Sequence, residues 1–421
     1  MGISASGRNA ISVCAAAIML AACGGSSVSY SPPTSSPPQP GVKETVLHAF
    51  GSGSDGFWPE AGLVNVNGIF YGTTAVGGAY VSNGTIFSIT PSGTETVQHN
   101  FVNSDGGNPH AGLIDVKGTL YGTTQFGGAN GAGTVFSLTP SGTQTVLHSF
   151  LGNTYDGAEP VAPLTNVAGT LYGTTQSGGA HNDGTVFKIT LGGKFQLLYS
   201  FGSSLTDASS PQAGLINVNG TLYGTTFGGG SAGDGTVFSI TPSGKEVVLH
   251  SFDANGSDGT FPDAGLVDVN GTLYGTTQYG GTNSSPSLSN VGTVFSITPR
   301  GSEKVLYSFA GGSDGRYPRA GLIDVKGTLY GTTENGGAGG AGCPTGVNQA
   351  GCGTVFSITT SGSETVVYSF RGGSDGLYPR AELLDVGKTL YGTTIYGGGQ
   401  KCSDQHRRVV GCGTVFSLTN I

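Results

Sequence analysis

Residues 113–150 read LIDVKGTLYGTTQFGGANGAGTVFSLTPSGTQTVLHSF. Four short runs within this stretch are rich in β-branched, aromatic and aliphatic residues, and they are named A to D here: Leu113 to Val116, Thr119 to Thr124, Thr134 to Thr139 and Gln144 to Phe150. Lys117-Gly118 separates A from B, and Pro140-Ser141-Gly142 separates C from D. Both are tight-turn sequences, so each pair of runs folds back on itself as an antiparallel hairpin. Four antiparallel strands in about fifty residues is the size of one propeller blade.

The same pattern recurs along the chain. Tyr-Gly-Thr-Thr begins at Tyr71, Tyr121, Tyr172, Tyr223, Tyr274, Tyr330 and Tyr391, at spacings of 50, 51, 51, 51, 56 and 61 residues. Gly-Thr-(Val/Ile)-Phe ends at Phe87, Phe136, Phe187, Phe238, Phe295, Phe356 and Phe416, and a D-type run ends at Phe50, Phe101, Phe150, Phe201, Phe252, Phe309 and Phe370. The series opens on a D run, Glu44 to Phe50, and finishes on a C run, Gly413 to Thr419. Seven A, B and C runs match seven D runs only if the first strand completes the last blade, which also removes the open edges of a linear array. An open β-solenoid, with coils of roughly 20 to 30 residues, would not explain the split repeat. The expected fold is all-β: a seven-bladed β-propeller of four-stranded antiparallel blades, spanning 42–421.

The repeated combination of V-G-T-L-Y-G-T-T, G-G-x-G-T-V-F-S-I-T-P-S-G and V-L-x-S-F resembles the GloVer tandem repeat of bacterial exported proteins. The likeness covers roughly residues 43–421. It implies an extracytoplasmic repeat protein with varied anchoring and assigns no catalytic residue.

The first 22 residues are set apart from the fold as a targeting signal. Arg8 gives a short positive region, Ile11 to Leu20 an apolar one, and Leu20-Ala21-Ala22-Cys23 resembles the bacterial lipobox. That resemblance implies cleavage before Cys23 and its lipidation, with Gly24 leaning toward the outer membrane or cell surface; an ordinary secretory signal is the alternative. Residues 23–41, with Pro32-Pro33 and Pro37-Pro38 among serines, read as a tether reaching up to about 50 Å. No later apolar run is long enough for a transmembrane helix, so membrane contact is expected through the lipid alone.

Composition narrows the partners. Glycine makes up 78 of 421 residues, charged residues are 10%, and the net charge is -8. That negative field disfavours nucleic acid. A monomer is expected.

In a propeller the B–C and D–A loops share one face. The A–B and C–D turns are short and uniform, whereas B–C loops lengthen in units five to seven, at Thr282 to Asn290, Ala338 to Cys352 and Gln400 to Cys412. The residue before the D–A proline is Trp58, Asn108, Glu159, Ser210, Phe261, Tyr317 and Tyr378 in order, so units five, six, seven and one carry an aromatic arc beside those insertions. Arg316, Arg319, Arg371, Arg380, Lys401, Arg407 and Arg408 fall in loops of units six and seven, seven of the chain's 17 Lys and Arg, with His406 among them. Variable loops on a rigid scaffold are where recognition is usually placed. These residues, with Trp58, Phe261, Tyr317 and Tyr378, are the ligand-binding candidates, and Arg suggests an anionic partner. Aromatics packed beneath the loops and solvated charge are the plainer alternatives. His110 and Gln212 stand for the plain side of the ring.

Cys343 and Cys352 bracket one long loop, and Cys402 and Cys412 bracket its equivalent, which predicts two local disulfides; a four-cysteine zinc site has the wrong spacing. Asp55, Asp105, Asp156, Asp207, Asp258, Asp314 and Asp375 recur in every D–A loop and read as Asx caps. Asp253, Asn255 and Asp258 only faintly resemble a calcium loop, lacking the bidentate Glu, so no cofactor is called for. Gly-Gly-Ser-Asp-Gly at residues 311 and 372 matches a nucleophile elbow by letters alone, without the strand-turn-helix it needs. His48, His99, His148 and His250 exchange with Tyr199, Tyr307 and Tyr368, which points to packing. The expectation is a non-catalytic surface module binding a glycan or a cell-surface protein through units five to one. The alternatives are a polysaccharide-active enzyme at the ring mouth, which would require a non-repeated acid and base near the axis, and a structural or adhesion protein of the envelope.

Overall fold

The computed structural model describes residues 41–51, 54–80, 82–254, 257–282, 291–345, 351–400, 402 and 411–421. The signal, Cys23 and tether therefore lie outside the described residues, as do Asn255, Lys401, His406, Arg407 and Arg408.

The chain forms seven four-stranded antiparallel sheets, and the order in each is A-B-C-D. In the second blade the strands are Ile114–Val116, Thr119–Thr124, Thr134–Leu138 and Gln144–Ser149, within a residue of the runs read from sequence. The seventh sheet takes its outer strand from the start of the ring: Lys43–Ala49 pairs antiparallel with Thr414–Thr419, Lys43 opposite Thr419 and Ala49 opposite Thr414. The ring is closed by this clasp. Among the described residues no helix is long and apolar enough to cross a membrane.

The repeated letters now acquire reasons. Each D strand ends in a phenylalanine that meets the C-strand phenylalanine of the next blade edge to face, as in Phe101 with Phe136 at 5.2 Å and, across the closing clasp, Phe50 with Phe87 at 5.0 Å. These rings are fully buried and form the cores between blades. The glycine of Tyr-Gly-Thr-Thr makes room for them: a Cβ on Gly122 would lie 2.7 Å from the Phe136 ring. The first threonine donates to the next blade, Thr123 to the Ala162 carbonyl and Thr393 to that of Ala61. The second shares a hydrogen bond with the C-strand threonine, Thr124 to Thr134 at 2.8 Å. The tetrad is thus an inter-blade seam.

Each C–D pair also carries a β-bulge, as between Val135 and Phe136, which re-aims the His or Tyr that follows on strand D. Sequence reading did not foresee the ladder between the D–A and B–C loops. It is a two-stranded ribbon in Ala208–Ser209 with Gly228–Gly229, and in Gly259–Thr260 with Tyr279–Gly280, and a single bridge in the other blades, as in Phe57 with Val76. Two disulfides, Cys343–Cys352 and Cys402–Cys412, close the long loops with Cα separations of 5.2 and 5.0 Å, as the cysteine spacing predicted.

Candidate functional site

Strand A of each blade lines an axial channel with a cavity of about 840 Å³. The residue after each D–A proline stands at its mouth: Glu60, His110, Val161, Gln212, Asp263, Arg319 and Arg380. Two residues on is a layer of Gly62, Gly112, Pro163, Gly214, Gly265, Gly321 and Glu382, and below it Val64, Ile114, Ile216, Ile323 and Leu384, with Thr165, form a mostly apolar collar. In a repeat this uniform, the mouth is the place where the blades differ most, with six residue types at seven equivalent positions. Ring stability demands no such variation.

The mouth is held by paired charges. Arg319 bridges Asp263 at 3.2 Å and Glu334 at 2.6 Å, Arg380 reaches the other Glu334 oxygen at 2.8 Å, and His110 meets Glu60 at 2.8 Å. With its amide oxygen turned toward Arg319, Gln278 accepts from the guanidinium as well. Burial works against charge on Glu60, but the His110 hydrogen bond and charge, helped by Arg380 and Arg319, hold its carboxyl below the usual range. Burial likewise disfavours the His110 cation, and the Glu60 hydrogen bond and charge overcome it, so His110 is raised. Burial pushes the Asp263 carboxyl up against the pull of Arg319.

Beside this network lies the aromatic arc. Tyr317 packs against Tyr279 at 5.2 Å, Phe261 against Tyr279 at 6.0 Å, Trp58 against Tyr396 at 6.1 Å and Tyr378 against Tyr396 at 5.8 Å. Trp58, Phe261, Tyr317 and Tyr378 have φ of 62°, 56°, 58° and 61°. The equivalent Asn108, Glu159 and Ser210 share that left-handed backbone, which polar Asn adopts more readily than bulky residues. Backbone bonds pin the position: Trp58 N–H donates to the Cys412 carbonyl, and Tyr378 N–H to that of Cys352. Three buried donors in this sector have no hydrogen-bond partner among the described residues: Trp58 Nε1, Asn335 Nδ2 and Arg380 Nε. Buried orphans of this kind are rare in native folds.

The sequence candidates fall into separate groups in the structure. Arg319 and Arg380 line the mouth, and Trp58, Phe261 and Tyr317, each two residues before a mouth position, are half-buried. Tyr378 and Arg316 are buried, the latter with its Cζ 5.5 Å from the Tyr317 ring centroid, so Arg316 supports an aromatic instead of facing solvent. Arg371 is exposed. His110 does not stand on a plain side of the ring; it is ion-paired with Glu60 in the same mouth as Arg380. Glu60, Asp263, Glu334 and Glu382 were not singled out from sequence. For Glu60 and Asp263 the signal was the column after the D–A proline, and for Glu382 it was the one charged departure from Ala-Gly-Leu, at Ala381-Glu382-Leu383; Glu334, in a B–C loop, had no such signal.

The recurring Asp caps its loop as read, and each also binds the strand-D His or Tyr: His48 to Asp55 at 3.1 Å, Tyr307 to Asp314 at 2.8 Å. Burial and the neighbouring Asp push Glu364 and Glu44 up to about 8, and Glu303 and Glu246 up to about 7. His250, Asp258 and Glu303 bring potential ligand atoms within 4.8 Å of one another. The same place holds His148, Asp156 and Phe195 in another blade, with His148 stacked on Phe195 at 4.0 Å, so the cluster follows the repeat's packing. Asp253 turns its backbone N–H toward the Asp258 carboxylate, 3.3 Å away, with Asp258 already bonded to His250.

The family model described as a Gloeobacter/Verrucomicrobia repeat matches residues 34–229, 152–344 and 203–404. No curated protein matches the chain. Solved structures similar in fold include the quinohemoprotein alcohol dehydrogenase from Comamonas testosteroni, at 12% identity and a TM-score of 0.48 over 90% of this chain and 76% of that one. They also include a gluconolactonase from Xanthomonas campestris, at 13% identity and a TM-score of 0.39 over 72% and 82%. At this distance neither activity transfers.

Proposed function

The chain belongs to the Gloeobacter/Verrucomicrobia repeat family, and we propose that it is an exported, lipid-anchored binding module that takes a glycan at the channel mouth. One observation carries this reading: the seven equivalent mouth positions hold six different residue types, only Arg recurring, and orphaned donors and half-buried aromatics gather on the same side. Sugars offer hydroxyls that need fixed donors and acceptors, and ring faces that stack on aromatics at low entropy cost. The Arg319–Glu334–Arg380 network holds such groups rigid in advance of binding. Because both guanidiniums are already paired, the partner suits a hydroxyl-rich chain more than a densely anionic one.

The test is a glycan array with the ring from residue 42 onward, followed by titration of the best ligand. Arg380→Ala and Tyr317→Ala should each weaken binding about tenfold, while Gln196→Ala on an exposed outer strand should leave it unchanged. Equal losses at all three, or none, would remove the mouth as the site. A second reading is favoured by Glu60 and His110, a non-repeated acid and base near the axis. Polysaccharide cleavage lost in both Glu60→Gln and His110→Gln would establish it.

A further inference from the structure

The layer beneath the mouth is nearly free of side chains, being glycine in five blades and proline in one. Glu382 interrupts it. A Cβ placed on Gly321 of the preceding blade would lie 3.5 Å from the Glu382 Cδ, so the carboxylate leans across that glycine inside the lumen. It is open to the lumen while protein surrounds it, and burial pushes the carboxyl up to about 7 with no neighbouring charge contributing. The acids and bases of the mouth above are paired with one another, and the collar below, mostly aliphatic with Thr165, carries no charge. Glu382 faces the lumen exposed, with no ion pair to a described side chain, so a cation that enters the layer finds an unshared carboxylate there. The layer offers a single ligating side chain, too few for a hard metal ion that wants six or more oxygens. A compact ammonium, satisfied by one carboxylate and nearby backbone carbonyls, matches it.

We propose that Glu382 anchors a protonated primary amine, so that the ligand of the mouth is a glycan bearing a free amino group whose ammonium enters the glycine layer. This rests on the glycan reading above and names its chemical class. The mouth network then orients the sugar, and Glu382 selects the amine over its acetylated form.

Calorimetric titration of the purified full chain with a glucosamine tetramer and with its fully N-acetylated counterpart tests the idea. Wild type should prefer the free amine about tenfold, the worth of one charge-assisted hydrogen bond. Glu382→Gln, and Glu382→Gly, which restores the residue of the other blades, should abolish the preference and leave the acetylated tetramer bound as before. Parity in wild type, or a preference that survives both substitutions, overturns the proposal. If neither tetramer binds, the glycan reading has failed, and a probe without sugar decides the site. Propylammonium should lower the Glu382 carboxyl titration followed by NMR, and an unchanged midpoint overturns the assignment. Glu60, His110, Asp263, Arg319 and Arg380 above, and Asp324 and Asp385 at the far end, share the channel. The titration is therefore repeated in His110→Gln to remove the imidazole.

Discussion

A buried carboxyl that prefers its proton makes stability depend on pH in a definite direction. Glu364, raised from 4.5 to about 8 by burial and by Asp314, favours folding fully below pH 4.5, where both states are protonated, and that favour is lost as pH rises through about 8. Glu44, Glu246 and Glu303 act in the same sense. The melting temperature is therefore expected to fall between about pH 5 and 8, and Glu364→Gln should flatten that fall. Gln144 already occupies the equivalent place in another blade, so the substitution suits the fold. A steeper fall in the variant would contradict this account of the belt. The Asp caps were legible because they recur. Glu364 and its equivalents were not, since their contacts come from the preceding blade, and no local pattern announces a partner fifty residues away.

Among the elements, the long loops were legible as insertions and their cysteines as pairs, but what the disulfides position was not. Cys412 and Cys352 lend their carbonyls to the N–H groups of Trp58 and Tyr378, so each cross-link also holds an aromatic of the arc. Trp58 is the chain's single tryptophan and reports on this directly. Replacing Cys402 and Cys412 together by alanine should shift its fluorescence, while denaturant unfolding shows a loss of no more than about 3 kcal/mol for so short a closed loop. An unaltered spectrum would mean that the loop holds Trp58 without the cross-link. The mouth column was present in the sequence as Glu, His, Val, Gln, Asp, Arg, Arg. Reading for what repeats hides it, because its meaning lies in what does not repeat and in an axis that only the closed ring creates.

At the scale of the whole molecule, the split repeat foretold closure, and Lys43–Ala49 supplies it. Deleting residues 42–50 should strip the seventh sheet of its outer strand and remove Phe50 from the core, giving aggregation or a clearly lower melting transition by calorimetry. An unchanged transition would show the clasp to be dispensable. For the proposed anchoring, Cys23→Ser should release the protein from membranes on fractionation; retention in high salt would point to another attachment.

The clasp also orders events in time. Lys43 and Thr419 meet across 376 residues, and bringing such distant segments together costs about 5 kcal/mol of chain entropy before any pairing is gained. Six blades have their strands in order and are free to assemble as the polypeptide emerges. The earliest strand made must wait, unpartnered, for the latest. The circle therefore exists only after the final strand has been delivered, and the common mouth, to which the first blade contributes Glu60 and the last Arg380, comes into being at that moment and not before.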